Sequence, residues 1–243
     1  MATVPDHLTT TPLSGPIDYP TSDGRPMGET DLHRNIMFAA IETLKLHYTA
    51  QQVYASGNIL LFYRPGNKRR HVSPDVLVVK GLEQRDRDNY LLWEEGRPPN
   101  IVIEVTSAST REEDLEDKFE IYRDEVHVAE YFLFDPYGEY LRPALQGYRL
   151  SGGDYLPIAP VSGHLPSREL GLQLEQQERQ LRFRDPLTDH WLPTPQEACA
   201  AAAATLERER AERECERTAR EHAEAEAERL RQELDALRRK LDT

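Results

Sequence analysis

Two carboxylates sit where carboxylates are costly. Asp75 opens the apolar run Asp75–Val79 directly after Pro74, and Glu104 interrupts Ile101–Val105. An unpaired buried acid is expensive and needs a partner or a metal. If the two strands are neighbours, both acids reach one end of a shared sheet. With a backbone carbonyl beside them they form a hard oxygen site suited to Mg²⁺ or Mn²⁺. Such an ion polarises a phosphoryl oxygen and lowers the pKa of a bound water. Lys118, on the helix that follows Glu104, could point back over the sheet end, orient the water and balance developing charge. The plainer readings stay open: Asp75 as a strand-start residue, Glu104 on an exposed edge, and Lys118 as a surface lysine paired with Asp114 at i,i+4.

The elements that must position these groups follow from periodicity and punctuation. Glu29–Tyr48 reads as a helix with Thr30 as N-cap. Asn58–Tyr63 reads as a strand ended by Pro65-Gly66-Asn67. Asp75–Val79, Ile101–Val105 and Ala129–Phe134 read as buried strands, with a helix from Arg111 to Arg123 capped by Ser109-Thr110. Glu139–Leu150 and Leu172–Arg184 suggest hairpins or edge strands. The order helix–strand–strand–strand–helix–strand predicts an α/β domain with a mixed sheet. Lys68, Arg69, Arg70 and His71 form the one compact basic run of this domain, just before Pro74-Asp75, and are the candidate phosphate-backbone contacts. A solvated hairpin end is the alternative. Tyr122 and Tyr131 read most simply as core.

Together these segments resemble a known family. Pro74-Asp75, I-V-I-E-V-T-S-A-S-T at 101–110, Asp114, Lys118, Tyr122 and A-E-Y-F-L-F-D-P at 129–136 are similar to the Uma family of bacterial restriction-endonuclease-like proteins. The stretch Y-P-T-S-D-G-R-P-M-G-E-T-D-L-H-R at 19–34 also resembles its N-terminal segment. The resemblance implies an αβββαβ core with the site at one end of the sheet. It implies Asp75 and Glu104 as motif acids that, with Val105, hold Mg²⁺ or Mn²⁺. That family is placed in the PD-(D/E)xK nuclease superfamily, whose usual lysine position, two residues after Glu104, is Thr106 here. The resemblance implies that Lys118 replaces that lysine, with Glu29 or His33 completing the site.

The rest of the chain frames this site. Of 243 residues 30% are charged, and the net charge is −13. That weighs against a broad basic face coating nucleic acid, though a local basic strip or metal-bridged contact remains compatible with it. No run approaches the roughly 18 apolar residues of a membrane helix. The proline-rich residues 1–26 read as an extended arm, without the order of a signal peptide. The two cysteines, Cys199 and Cys215, both lie beyond the domain, so a reducing cytoplasm is expected. Composition changes near Pro193–Pro195. The domain is placed at 27–193 and a charged helical tail at 196–243, where Leu230, Leu234, Leu237 and Leu241 keep coiled-coil spacing. Three functions fit: a metal-dependent endonuclease acting on DNA, a nuclease-fold binding module that assembles as a homo-oligomer through its tail, and a hydrolase of a small phosphorylated substrate.

Overall fold

The computed structural model describes residues 18–22 and 30–241. The chain divides into two units, Met1–Leu192 and Pro193–Thr243. Glu29, and most of the expected N-terminal arm, lie outside the described residues.

The first helix is Asp31–His47. Thr30 caps it in an extended conformation, its hydroxyl accepting from the His33 amide at 3.2 Å. Ile36, Met37, Ala40, Ile41 and Leu44 form its buried stripe. That stripe packs on a six-stranded sheet ordered Val53–Ser56, Val76–Lys80, Ile101–Val105, Glu130–Phe134, Leu145–Ser151, Asp154–Pro157. All neighbours pair antiparallel except Ile101–Val105 with Glu130–Phe134, which are parallel. A parallel pair needs a crossover, and the 111–126 helix supplies it. The first six core elements therefore run αβββαβ, a restriction-endonuclease-like fold with mixed sheet.

One strand differs from the sequence expectation. The first core strand is Val53–Ser56, whereas of Asn58–Tyr63 only Leu61–Phe62 is extended, in a small side sheet with His71–Val72 and Tyr90–Leu91. The four residues Val53–Ser56 are too few to show periodicity. At Gly57 the chain passes so close to the neighbouring strand that a Cβ would lie 1.8 Å from the Asp75 carbonyl oxygen. Asn58 then takes a positive φ of 51°, and its amide donates to Pro74 O at 2.8 Å. This bend breaks the run that reads as one strand and stitches it to Pro74-Asp75.

The crossover helix starts near the expected Arg111 and runs to Val126, past the expected Arg123. Glu113–Asp117 and Ile121–Val126 are wound as π-helix. Its buried polar and aromatic residues, Asp114, Lys118, Tyr122 and then Val126, recur every four positions. On an ordinary α-helix such a repeat drifts by about 40° per step. The wider i→i+5 turns remove that drift and keep the stripe on the sheet.

A four-stranded antiparallel sheet, Leu165–Ser167, Leu172–Gln177, Gln180–Asp185 and His190–Trp191, covers the other side of the first helix. The expected hairpin over Leu172–Arg184 is its centre. Among the described residues no helix is long and apolar enough to cross a membrane. In the second unit one helix, Pro195–Leu241, runs 47 residues. A capping box opens it: the Glu197 amide donates to Thr194 Oγ1 at 3.2 Å and the Thr194 amide to Glu197 Oε2 at 2.8 Å.

Candidate functional site

Strand register brings the two acids together. The antiparallel register that sets Val76 against Ile103 continues to set Asp75 against Glu104. The Asp75 amide donates to Glu104 Oε2 at 3.3 Å, and Asp75 Oδ2 accepts from the Val105 amide at 2.7 Å. Glu104 is fully buried and lies on the sheet face that carries Val102, Leu77 and Tyr131. It is not on an exposed edge.

Three further elements reach this point. The crossover helix delivers Lys118, whose Nζ lies 3.0 Å from Glu104 Oε2 and 3.1 Å from Asp114 Oδ1. The expected reach toward Glu104 and the expected pairing with Asp114 are both present, and the lysine is buried instead of exposed. One turn on, Tyr122 donates its hydroxyl to Glu104 Oε1 at 2.7 Å. The first helix delivers His33, whose Nε2 lies 3.2 Å from Asp75 Oδ2. Thr106 is buried, its amide donating to Phe134 O at 2.8 Å. The positive charge at Glu104 comes from the helix instead of from this strand position.

Asp75 and Asp114 open onto a cleft of about 920 Å³, with Glu104 buried behind its lining. Its wall includes Arg69, Arg70 and His71, with Thr30, His33 and Lys118. The side sheet explains this placement, since His71–Val72 pairs with Leu61–Phe62 immediately before the chain enters Pro74-Asp75. Lys68 is exposed and lies outside the lining. Glu113, Asp117 and Glu120 also line the cleft, so its charge is mixed.

The electrostatics follow from burial. Burial raises the Glu104 carboxyl well above the carboxylate range, helped by Asp75 and Asp114 and opposed by Lys118 and the Tyr122 hydroxyl. Burial acts on Asp75 in the same direction, but the His33 contact, the Lys118 charge and the Val105 amide outweigh it and hold Asp75 low. Burial would lower Lys118, yet Glu104, Asp114 and Asp75 more than reverse this, so it stays an ammonium across the whole neutral range. Two buried acids, Glu104 and Asp114, and the partly buried Asp75 thus face one permanent cation. Crowded carboxyl oxygens, with Glu104 and Asp114 pushed up chiefly by burial, are the environment that a divalent ion relieves. Among the described residues no group of three or more His, Cys, Asp or Glu is set to hold an ion. Mg²⁺ is satisfied by one or two carboxylates because it keeps several waters, so the donor set fits it.

A family model described as Uma2, putative restriction endonuclease, matches residues 16–184, well over half of the chain. This chain belongs to the Uma2 family. No curated protein matches it. The Uma2 match spans the six-stranded sheet, the crossover helix and every side chain of the site described here, and it stops short of the Pro195–Leu241 helix.

Some of the site was not evident from sequence. Asp114 and Tyr122 stood among the residues of the family resemblance, but by themselves Tyr122 read as core and Asp114 as a surface partner of Lys118, and Gly57 carried no signal. The four-residue recurrence of Asp114, Lys118 and Tyr122 is the pattern that could have revealed the first two. Within the described residues, His33 is the first-helix residue that meets the acids.

Proposed function

We propose that this Uma2 protein is a metal-dependent endonuclease that hydrolyses phosphodiester bonds of DNA. The observation that supports it most is the pairing of Asp75 with Glu104 at the strand ends, with a buried lysine on Glu104 and an arginine-lined cleft in front. Asp75, Glu104 and the Val105 carbonyl would hold Mg²⁺ or Mn²⁺. When bound, the ion would polarise the phosphoryl oxygen and make the water more acidic.

The chain's own groups have distinct tasks. Lys118 remains charged, so it works by stabilising negative charge at phosphorus and not by taking a proton. Tyr122 and the Asp75 amide fix the Glu104 carboxylate from opposite sides. His33 orients Asp75. Arg69 and Arg70 hold the backbone phosphates against the cleft wall.

The test is incubation with plasmid and single-stranded DNA in Mg²⁺ or Mn²⁺. Cleavage is expected from the wild type and not from Asp75→Asn or Glu104→Gln. Cleavage that survives unchanged in both variants overturns the assignment. Calorimetry with Mn²⁺ alone gives an independent readout, with binding expected to weaken in Asp75→Asn. A second reading, a nuclease-fold binding module without turnover, draws on Thr106 and on the net charge of −13. It predicts metal and DNA binding with no cleavage under any of these conditions.

A further inference from the structure

We propose that the C-terminal helix pairs with the same helix of a second copy, in parallel and in register, over residues 223–241. The helix is continuous across this stretch. Leu230, Leu234 and Leu237 stand 57%, 50% and 61% exposed along one seam. Ala223 and Ala227 extend the seam backward and Leu241 continues it in sequence, so every a and d position here is apolar.

Charge selects both the occupant and its direction. With Leu234 at position a, Glu226 and Glu233 fall at g, and Arg231 and Arg238 fall at e. In a parallel pair each g residue meets the e residue five places on in the other helix. Glu226 then faces Arg231 of the second copy, and Glu233 faces Arg238. The helix complements itself, so no other protein is required.

An antiparallel pair is the rival. Farther back the seam holds Glu209, Arg213, Glu216 and Arg220 at d, a, d and a. Antiparallel packing sets a against d, and would match these four as ion pairs. It would do so by setting Leu230 against Cys199 and leaving Leu237 without a partner. Buried leucine contributes more than an exposed ion pair, which excludes that register. An antiparallel register opposing Leu234 to Leu237 keeps the leucines together but sets Arg231 against Arg238, so charge decides for the parallel direction. In the parallel arrangement Glu209, Arg213, Glu216 and Arg220 each meet their own copy, and like-charge repulsion stops the zipper upstream of Ala223. Within each helix those residues are served by local pairs such as Arg220–Glu224 at 2.8 Å.

Sedimentation equilibrium of the full chain over a concentration series tests the pairing. A monomer–dimer equilibrium is expected, and Leu230→Lys with Leu237→Lys should shift it to monomer while circular dichroism shows the domain still folded. A chain that is monomeric at every concentration overturns the proposal, as does a dimer that persists in the double variant. Direction is read by Leu234→Cys in a Cys199→Ser, Cys215→Ser background. Mild oxidation should link position 234 to itself across the dimer. A dimer that fails to link there, but links when Cys199 is restored beside Leu234→Cys or Leu230→Cys, overturns the parallel arrangement.

Discussion

Lys118 is the permanent cation in the charge balance of the site. It contacts Glu104 and Asp114 at 3.0 and 3.1 Å, and its charge also acts on Asp75. Lys118→Met leaves buried Glu104 and Asp114, and partly buried Asp75, without a permanent cation. Breaking a buried pair by removing one partner costs about 3–5 kcal/mol. Urea denaturation of the apoprotein should show a loss of that order, and adding Asp114→Asn should return part of it. A Lys118→Met protein as stable as wild type removes the charge account. Gly57 is the second residue with leverage. A Cβ there would collide with backbone, the Asp75 carbonyl oxygen at 1.8 Å, and no rotamer change relieves such a clash. Gly57→Ala should therefore displace Asp75 from Glu104. Mn²⁺ affinity and cleavage should fall together, by about 10-fold or more if the lost fit exceeds about 1.4 kcal/mol. Unchanged Mn²⁺ affinity in a folded Gly57→Ala protein rules out this positioning role.

At the scale of elements, the first helix is fastened on both faces, and its far end carries a pH dependence. Tyr48 donates its hydroxyl to Leu170 O at 2.6 Å, tying the helix to the second sheet, and burial pushes its phenol up to about 12. The folded value lies above the unfolded value of 10.0, so this group's contribution is whole below pH 10 and is lost as pH rises toward 12. Tyr48→Phe removes the bond, at about 1 kcal/mol, and removes the slope. The stability gap between wild type and Tyr48→Phe should narrow between pH 9 and pH 12. A gap that stays constant excludes Tyr48 as its source. The ease of reading each element also depends on how it is fastened. Ile101–Val105 was legible to the residue because a strand covered on both faces is apolar throughout. That same uniformity made Glu104 conspicuous. Thr30 announced the first helix through its capping chemistry. Val53–Ser56 was hidden because its pairing with Val76–Lys80 is a long-range contact and its length too short to leave a period. The π winding of the crossover helix was hidden because it answers to the sheet beneath it, and Tyr122 with it.

At the scale of the whole molecule, the proposed function requires a protein of net charge −13 to bring a polyanion to an acidic floor. Broad attraction cannot do this, so the burden falls on the local run at the cleft wall. Arg69 and Arg70 line the cleft, as do Glu113, Asp117 and Glu120 of the crossover helix. DNA binding should therefore be weakly salt-dependent for its size, because few phosphates are neutralised. Each phosphate contact contributes about 0.9 to the slope of log K against log salt on duplex DNA. Arg69→Ala and Arg70→Ala together should lower that slope by about 2 if each holds one phosphate. The measurement is duplex affinity by fluorescence anisotropy over a salt series in Ca²⁺, chosen to limit turnover. Lys68→Ala, outside the lining, should change the slope least of the three. If the double variant keeps the wild-type slope, the phosphates are held elsewhere and this wall of the cleft serves another ligand. If the slope falls, the acidic surface is explained as well: it repels the duplex everywhere except at the strip that leads to Asp75 and Glu104.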